Sequence, residues 1–203
     1  MYWKIASLVI FALFCGWSCY EAKKHTRLEQ KKEDEFWERE REANSVRRKP
    51  IDHLDYIKIP KELPVDLLKD NIEMPNILKT VESLRNDKIL NLTGYSNTDL
   101  KLEYGAPNLT ELSRYDSNFT ALVTTFQKWA DLLLNEDYEK EAVGLMEYIV
   151  SIGGDIGKTY RLLGKYYLKN SMEDKFDELI KSADSLRSLN KPYILQSVKD
   201  LKA

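Results

Sequence analysis

The 203 residues carry 31 Lys/Arg against 33 Asp/Glu, a formal net charge of −2, which leaves room for one ordinary domain with appendages and enough length to bury a core. The positive excess is confined to residues 1–49, with 11 Lys/Arg against 8 Asp/Glu, while the remainder is mildly acidic. That balance argues against a general nucleic-acid binder, which needs a basic face to displace counterions from phosphates.

The chain opens on an uncharged run, "IASLVIFALFCGWSCY", from Ile5 to Tyr20, between Lys4 and Glu21. At 1.5 Å per residue it reaches about 24 Å, short of a hydrocarbon core of about 30 Å. Lys4 can snorkel, and Tyr2, Trp3, Trp17 and Tyr20 stand near the two ends, so residues 1–20 predict a transmembrane helix acting as signal anchor. A cleaved signal peptide or a lipidated Cys19 is the rival reading. Cys15 and Cys19 share a helical face, where small apolar packing suits them better than a bridge. Lys23, Lys24, Arg27, Lys31 and Lys32 follow the run, so the positive-inside rule predicts a single-pass protein of the cell membrane with a cytoplasmic C-terminal domain. The sequons at Asn91, Asn108 and Asn118 are then chance matches.

Residues 21–49 are mostly charged, with opposite signs three or four apart, and predict a charged helical stalk or a disordered linker. Residues 50–115 are cut by Pro60, Pro64, Pro75 and Pro107 into an irregular helical capping region. Short helices are expected over Val65 to Asp70 and Pro75 to Asp87, the second with Ile77, Leu78, Val81 and Leu84 at helical spacing; "KILNLTG" is expected to be extended and "SNTDLKLEYG" helical to Gly105. Residues 116–203 hold five consecutive helical patterns, with starts expected at Asp116, Asp155, Ser171 and Pro192 and a stop at Gly153 and Gly154. The expected fold class is therefore mainly α: an N-terminal transmembrane helix, a charged stalk and a solenoid of α-helical hairpins.

A shift of 34 residues lays the first hairpin of that last region on the second. Phe126 falls on Tyr160, Trp129 on Leu163, Ala130 on Gly164, Leu133 on Tyr167, Ala142 on Phe176, Met146 on Ile180 and Ile149 on Ala183. A further step brings Ile194, Val198 and Leu201 onto one face of a last, unpaired helix. This pattern resembles the tetratricopeptide repeat over residues 117–203, a unit of two antiparallel helices. Two departures stand out: Phe176 where that family favours a small residue, and Gly154 and Ser188 where it often has proline. Gly164, inside a helix, costs up to about 1 kcal/mol relative to Ala, and close approach of a partner helix would explain it.

The stretch "SIGGDIGKTY", residues 151–160, ends like a phosphate-binding loop but lacks its spacing: Ile152 stands five before Gly157, and a helical pattern rather than a strand precedes it. It reads as a turn between helices. His25 and His53 have no second His or Cys at ligand spacing, and no nucleophile constellation is found, so no catalytic residue, metal or cofactor is expected.

The resemblance implies a groove lined by first helices that holds an extended peptide or a partner helix. Carried over, its positions are Thr124, Gln127, Asp131 and Leu134, then Lys158, Arg161, Lys165 and Leu168, then Leu195, Lys199 and Lys202. The later sets are basic, which suits an acidic or C-terminal peptide. The residues expected to pack the repeats are Phe126, Trp129, Ala130, Ala142, Tyr160, Leu163, Gly164 and Tyr167. The functional expectation is a membrane-anchored adaptor, held at the membrane by residues 1–20, that binds a protein or peptide and no nucleic acid. An extracytoplasmic protein assisting envelope assembly or secretion, or a ligand-binding or enzymatic region within 50–115, is the alternative.

Overall fold

The computed structural model describes residues 2–202; the side chains of Tyr2, residues 4–10 and Ala12 lie outside the described set. The chain is mainly helical: α1 Tyr2–Ser45, α2 Met74–Arg85, α3 Asn97–Tyr104, α4 Leu109–Asn135, α5 Glu139–Ser151, α6 Gly157–Lys169, α7 Glu173–Ser185 and α8 Lys191–Lys199. It divides into two compact units, one of residues 1–49 with 97–107, the other of residues 50–96 with 108–203.

The first unit overturns the membrane reading. Residues 2–20 do not form a separate apolar helix; the run continues without a break into the charged residues of α1. Among the described residues no helix is long and apolar enough to cross a membrane. The physical reason is length: an uncharged run of about 24 Å falls short of a core of about 30 Å, and the helix beyond it is densely charged. The transmembrane helix, the single-pass membrane localisation and the orientation that followed from it therefore do not hold. The snorkelling Lys4 and interfacial Tyr2 of that reading have side chains outside the described residues. Cys15 and Cys19 are free and exposed rather than packed.

The stalk is helical through Ser45, and its end is not simply solvated, because α3 packs on it. Ala43 is fully buried. Arg39 pairs with Asp99 at 2.6 Å, Glu40 accepts hydrogen bonds from Thr98 at 2.7 Å and from Lys101, and Lys49 Nζ donates to the Leu102 and Glu103 carbonyls. The Lys101 and Thr98 hydrogen bonds hold the Glu40 carboxyl below its usual range. Gly105 closes α3 at φ +94°, the left-handed region open to glycine.

In the second unit α2 starts with Pro75 in its first turn and buries Met74, Ile77, Val81 and Leu84 toward α4. The segment from Val65 to Asp70 forms turns rather than a helix, with Leu68 at φ +62°. Residues 88–94 form no strand. Their polar groups anchor them to neighbouring elements: Asp116 accepts the Leu92 N–H at 3.0 Å, and Ile89 accepts that of Ile57. Asp116 therefore lies inside α4, which begins at Leu109, seven residues before the expected start. Asn108 stands at the N-cap with Glu111 in the first turn, a local start signal that the expected start at Asp116 passed over, and Leu112 and Tyr115 are buried by the extension.

From Leu133 onward several helix bounds recur 34 residues apart. α5 and α7 have bounds 34 residues apart at both ends, and α6 and α8 begin 34 apart. The α4–α5 and α6–α7 turns match as well, with Asp137 and Ser171 at φ +62° and +54°, whereas among the described residues the α5–α6 turn has Gly153 at φ +76° and the α7–α8 turn no positive φ. Tyr138 and Met172 donate to the Leu133 and Tyr167 carbonyls at 2.9 and 2.8 Å, and Ala142 and Phe176 donate to those of Tyr138 and Met172, both at 3.1 Å. α6 and α8 run parallel, since the α6 start meets Tyr193 and Ile194 and Gly164 meets Leu201.

All eight residues expected to pack the repeats are buried. Phe126, Trp129, Ala130, Ala142, Tyr160 and Leu163 are fully enclosed, and Tyr167 is nearly so. A Cβ on Gly164 would lie 2.7 Å from Leu201 Cδ1 and 3.4 Å from Phe176 Cε2. The closer atom is the tip of a flexible side chain, so the helix-propensity gain of about 1 kcal/mol offsets its displacement. Gly164→Ala is expected to melt close to the parent protein. Gly164→Leu, which overfills the crossing, should lose about 1–3 kcal/mol. Equal melting of both variants in thermal denaturation would show that this crossing is not tight.

Candidate binding face on helices α4, α6 and α8

The expected groove residues divide into two groups. Gln127 is buried, and its Nε2 donates to Asp131 Oδ1 at 2.8 Å. Thr159, buried at the start of α6, donates through Oγ1 to Gln127 Oε1, and Lys158 Nζ pairs with Asp131 Oδ2 at 2.8 Å. These four side chains form a continuous polar chain that ties α4 to α6. Each buried polar atom in it finds a partner, which is the condition for burial without a penalty. Gln127 and Lys158 thus serve the protein's own packing, and the "GKT" of residues 157–159 belongs to this chain at the N-terminus of a helix that follows helix α5.

Leu134, Leu168 and Leu195 are half-buried against the core. Thr124 donates back to the Thr120 carbonyl of its own helix at 2.7 Å. Lys202 lies 3.7 Å from Glu173 and over the Phe176 ring. What stays open is Arg161, Lys165 and Lys199, all exposed and, among the described residues, without an ion pair. Arg161 and Lys165 stand four apart on one face of α6. Lys199 occupies on α8 the place that Lys165 holds on α6, one 34-residue step away, on helices that pack side by side at a typical axis separation of about 8–10 Å.

Sequence reasoning missed the pairing of Asp131 with Lys158 and the inward turn of Thr159. It also missed the roles of the sequon asparagines: Asn91 Nδ2 donates to the Ile152 and Gly153 carbonyls, Asn118 Nδ2 donates to the Lys88 carbonyl, and Asn108 is fully buried. No periodicity marks these bonds, because their partners are 30 to 62 residues away. Among the described residues no group of three or more His, Cys, Asp or Glu could hold a metal ion. No protein-family model, curated protein or solved structure matches the chain.

Proposed function

We propose that residues 117–203 are degenerate tetratricopeptide-like hairpins and that the protein is an adaptor, binding an acidic segment of a partner protein on the face formed by Arg161, Lys165 and Lys199. The observation that carries this reading is the joint one of backbone and charge. Several helix bounds and the torsions of the α4–α5 and α6–α7 turns recur 34 residues apart, and the exposed face of successive first helices keeps three cations without an ion pair among the described residues, in a region whose overall charge is negative.

Stacked hairpins bury a core between neighbours and leave a long face free, which suits recognition. A carboxylate-rich peptide would meet these cations through charge-assisted hydrogen bonds, and binding would weaken as salt rises.

The test is fluorescence anisotropy with a labelled peptide ending in several acidic residues and a free carboxylate. Arg161→Glu with Lys165→Glu is expected to reduce affinity by roughly tenfold or more while leaving the helical circular dichroism unchanged, since both side chains are exposed. Affinity that is indifferent to both the double substitution and salt would remove the face from consideration.

A further inference from the structure

A different surface of the second unit carries an inference independent of that face. Residues 60–64 lie alongside α5 and enclose a cleft of about 420 Å³, within the range of small-molecule and side-chain pockets. Leu63 and the Tyr148 ring contribute the accessible apolar surface, backed by the buried Leu145 and by the fully buried Phe126, whose ring lies 5.5 Å from that of Tyr148. The wall is preformed. Pro60 and Pro64 restrict the backbone, Arg85 Nη2 donates to the Pro60 carbonyl at 2.7 Å, and Tyr148 donates to the Lys58 carbonyl at 3.1 Å. Burial pushes the Tyr148 phenol up to about 12.

Two further features shape the cleft. Gly144 lines the cleft in the interior of α5, where glycine costs about 1 kcal/mol relative to Ala, yet a Cβ there would meet nothing within 4 Å. The fold therefore has no need of glycine at this place, and its absence of side chain leaves the helix surface open to an incoming group. Glu62 and Glu141 also line the cleft, and among the described residues neither makes an ion pair or a side-chain hydrogen bond. The adjacent Lys58 and Lys61 line another cleft, with Tyr56 and Lys88, and the Lys58 carbonyl accepts the Tyr148 hydroxyl.

From the apolar walls, the bare Gly144 and two carboxylates that have no ion pair among the described residues, Glu62 and Glu141, the latter in the first turn of α5, we propose that this cleft binds a short basic and apolar segment of a partner protein, with an aliphatic side chain over Tyr148 and Lys or Arg on Glu62 and Glu141. The wall is rigid, so little conformational freedom is lost on binding. A cation near the half-buried Tyr148 ring adds attraction to its face.

The test uses the full chain and two synthetic peptides, each with a pair of leucines, flanked in one by lysines and in the other by glutamates. Amide shifts in nuclear magnetic resonance spectra are followed during titration. The lysine-flanked peptide is expected to saturate shifts at Leu63, Gly144 and Leu145, and the glutamate-flanked one to bind roughly tenfold more weakly. Glu62→Gln with Glu141→Gln should erase that preference, Gly144→Trp should block both peptides, and Arg161→Glu with Lys165→Glu should change nothing at this cleft. Equal affinity for the two peptides in the parent protein, shifts centred elsewhere, or no saturable binding would overturn the proposal. If Gly144→Trp perturbs the helical signal, the paired Gln variant, which touches only the two carboxylates, still decides the matter.

Discussion

Trp129→Ala is expected to remove about 3–5 kcal/mol of stability from the second unit, at the upper end of what a single truncation costs. Trp129 is fully buried in α4, and its ring meets Phe126 edge-on at 6.1 Å, which in turn packs against Tyr148. Truncation removes the apolar area and leaves a cavity bounded by helices that cannot collapse without breaking the polar chain from Thr159 to Asp131. Trp129→Phe separates volume from polarity. The indole Nε1 has no hydrogen-bond partner among the described residues, so Phe forfeits no bond and should lose clearly less than Ala. Urea denaturation followed by circular dichroism reads both values. An Ala variant within about 1 kcal/mol of the parent would mean that α4 and α5 are not organised around this ring.

Gly105→Ala should have a comparable but local effect, confined to the first unit. At φ +94° an Ala is strained by about 1–2 kcal/mol. Its Cβ would also meet backbone rather than a movable side chain, at 2.2 Å from the Arg47 carbonyl oxygen and 2.9 Å from Arg48 Cα. Neither atom can yield without giving up the bonds from Lys49 N to the Tyr104 carbonyl and from Ala106 N to the Val46 carbonyl. Added together, strain and clash amount to roughly 3 kcal/mol, enough to detach α3 from the end of α1. Hydrogen exchange should then accelerate across residues 97–104 while protection in α4 to α7 stays as in the parent protein. Unchanged exchange in α3 would refute the close approach.

The contrast between Gly105 and Gly164 shows why a glycine in a sequence is ambiguous. Both end up in crowded places, but one faces immobile backbone and the other a leucine tip, and the expected consequences of an added methyl differ in size and even in sign. Gly144, read from the pattern alone, looks like either of them and proves to face open space.

Periodicity made legible whatever depends on short-range spacing. The helices α2, α3 and α5 to α8, the stop at Gly153, the 34-residue correspondence and the buried faces of Phe126, Trp129, Leu163 and Tyr167 all follow from which residues fall on one side of a helix. Hydropathy over 1–20 misled, because an apolar run cannot by itself say whether the helix ends with it, and α1 continues to Ser45. The candidate faces were legible only in outline. Lys158 and Arg161 look equivalent in the text, three apart on one helix, yet Lys158 reaches Asp131 on α4 while Arg161 stays open.

By itself, then, the sequence determined most of the helices after residue 74 and the part of the core that lies on their regularly spaced faces, because those are set by interactions within about four residues and by which side chains leave water. Tertiary structure decided which cations are spent on neighbouring helices, that residues 97–107 join the end of α1, and that residues 60–64 wall a cleft with α5. Those outcomes depend on groups tens of residues apart meeting within a few ångströms, and no local spacing encodes such a distance.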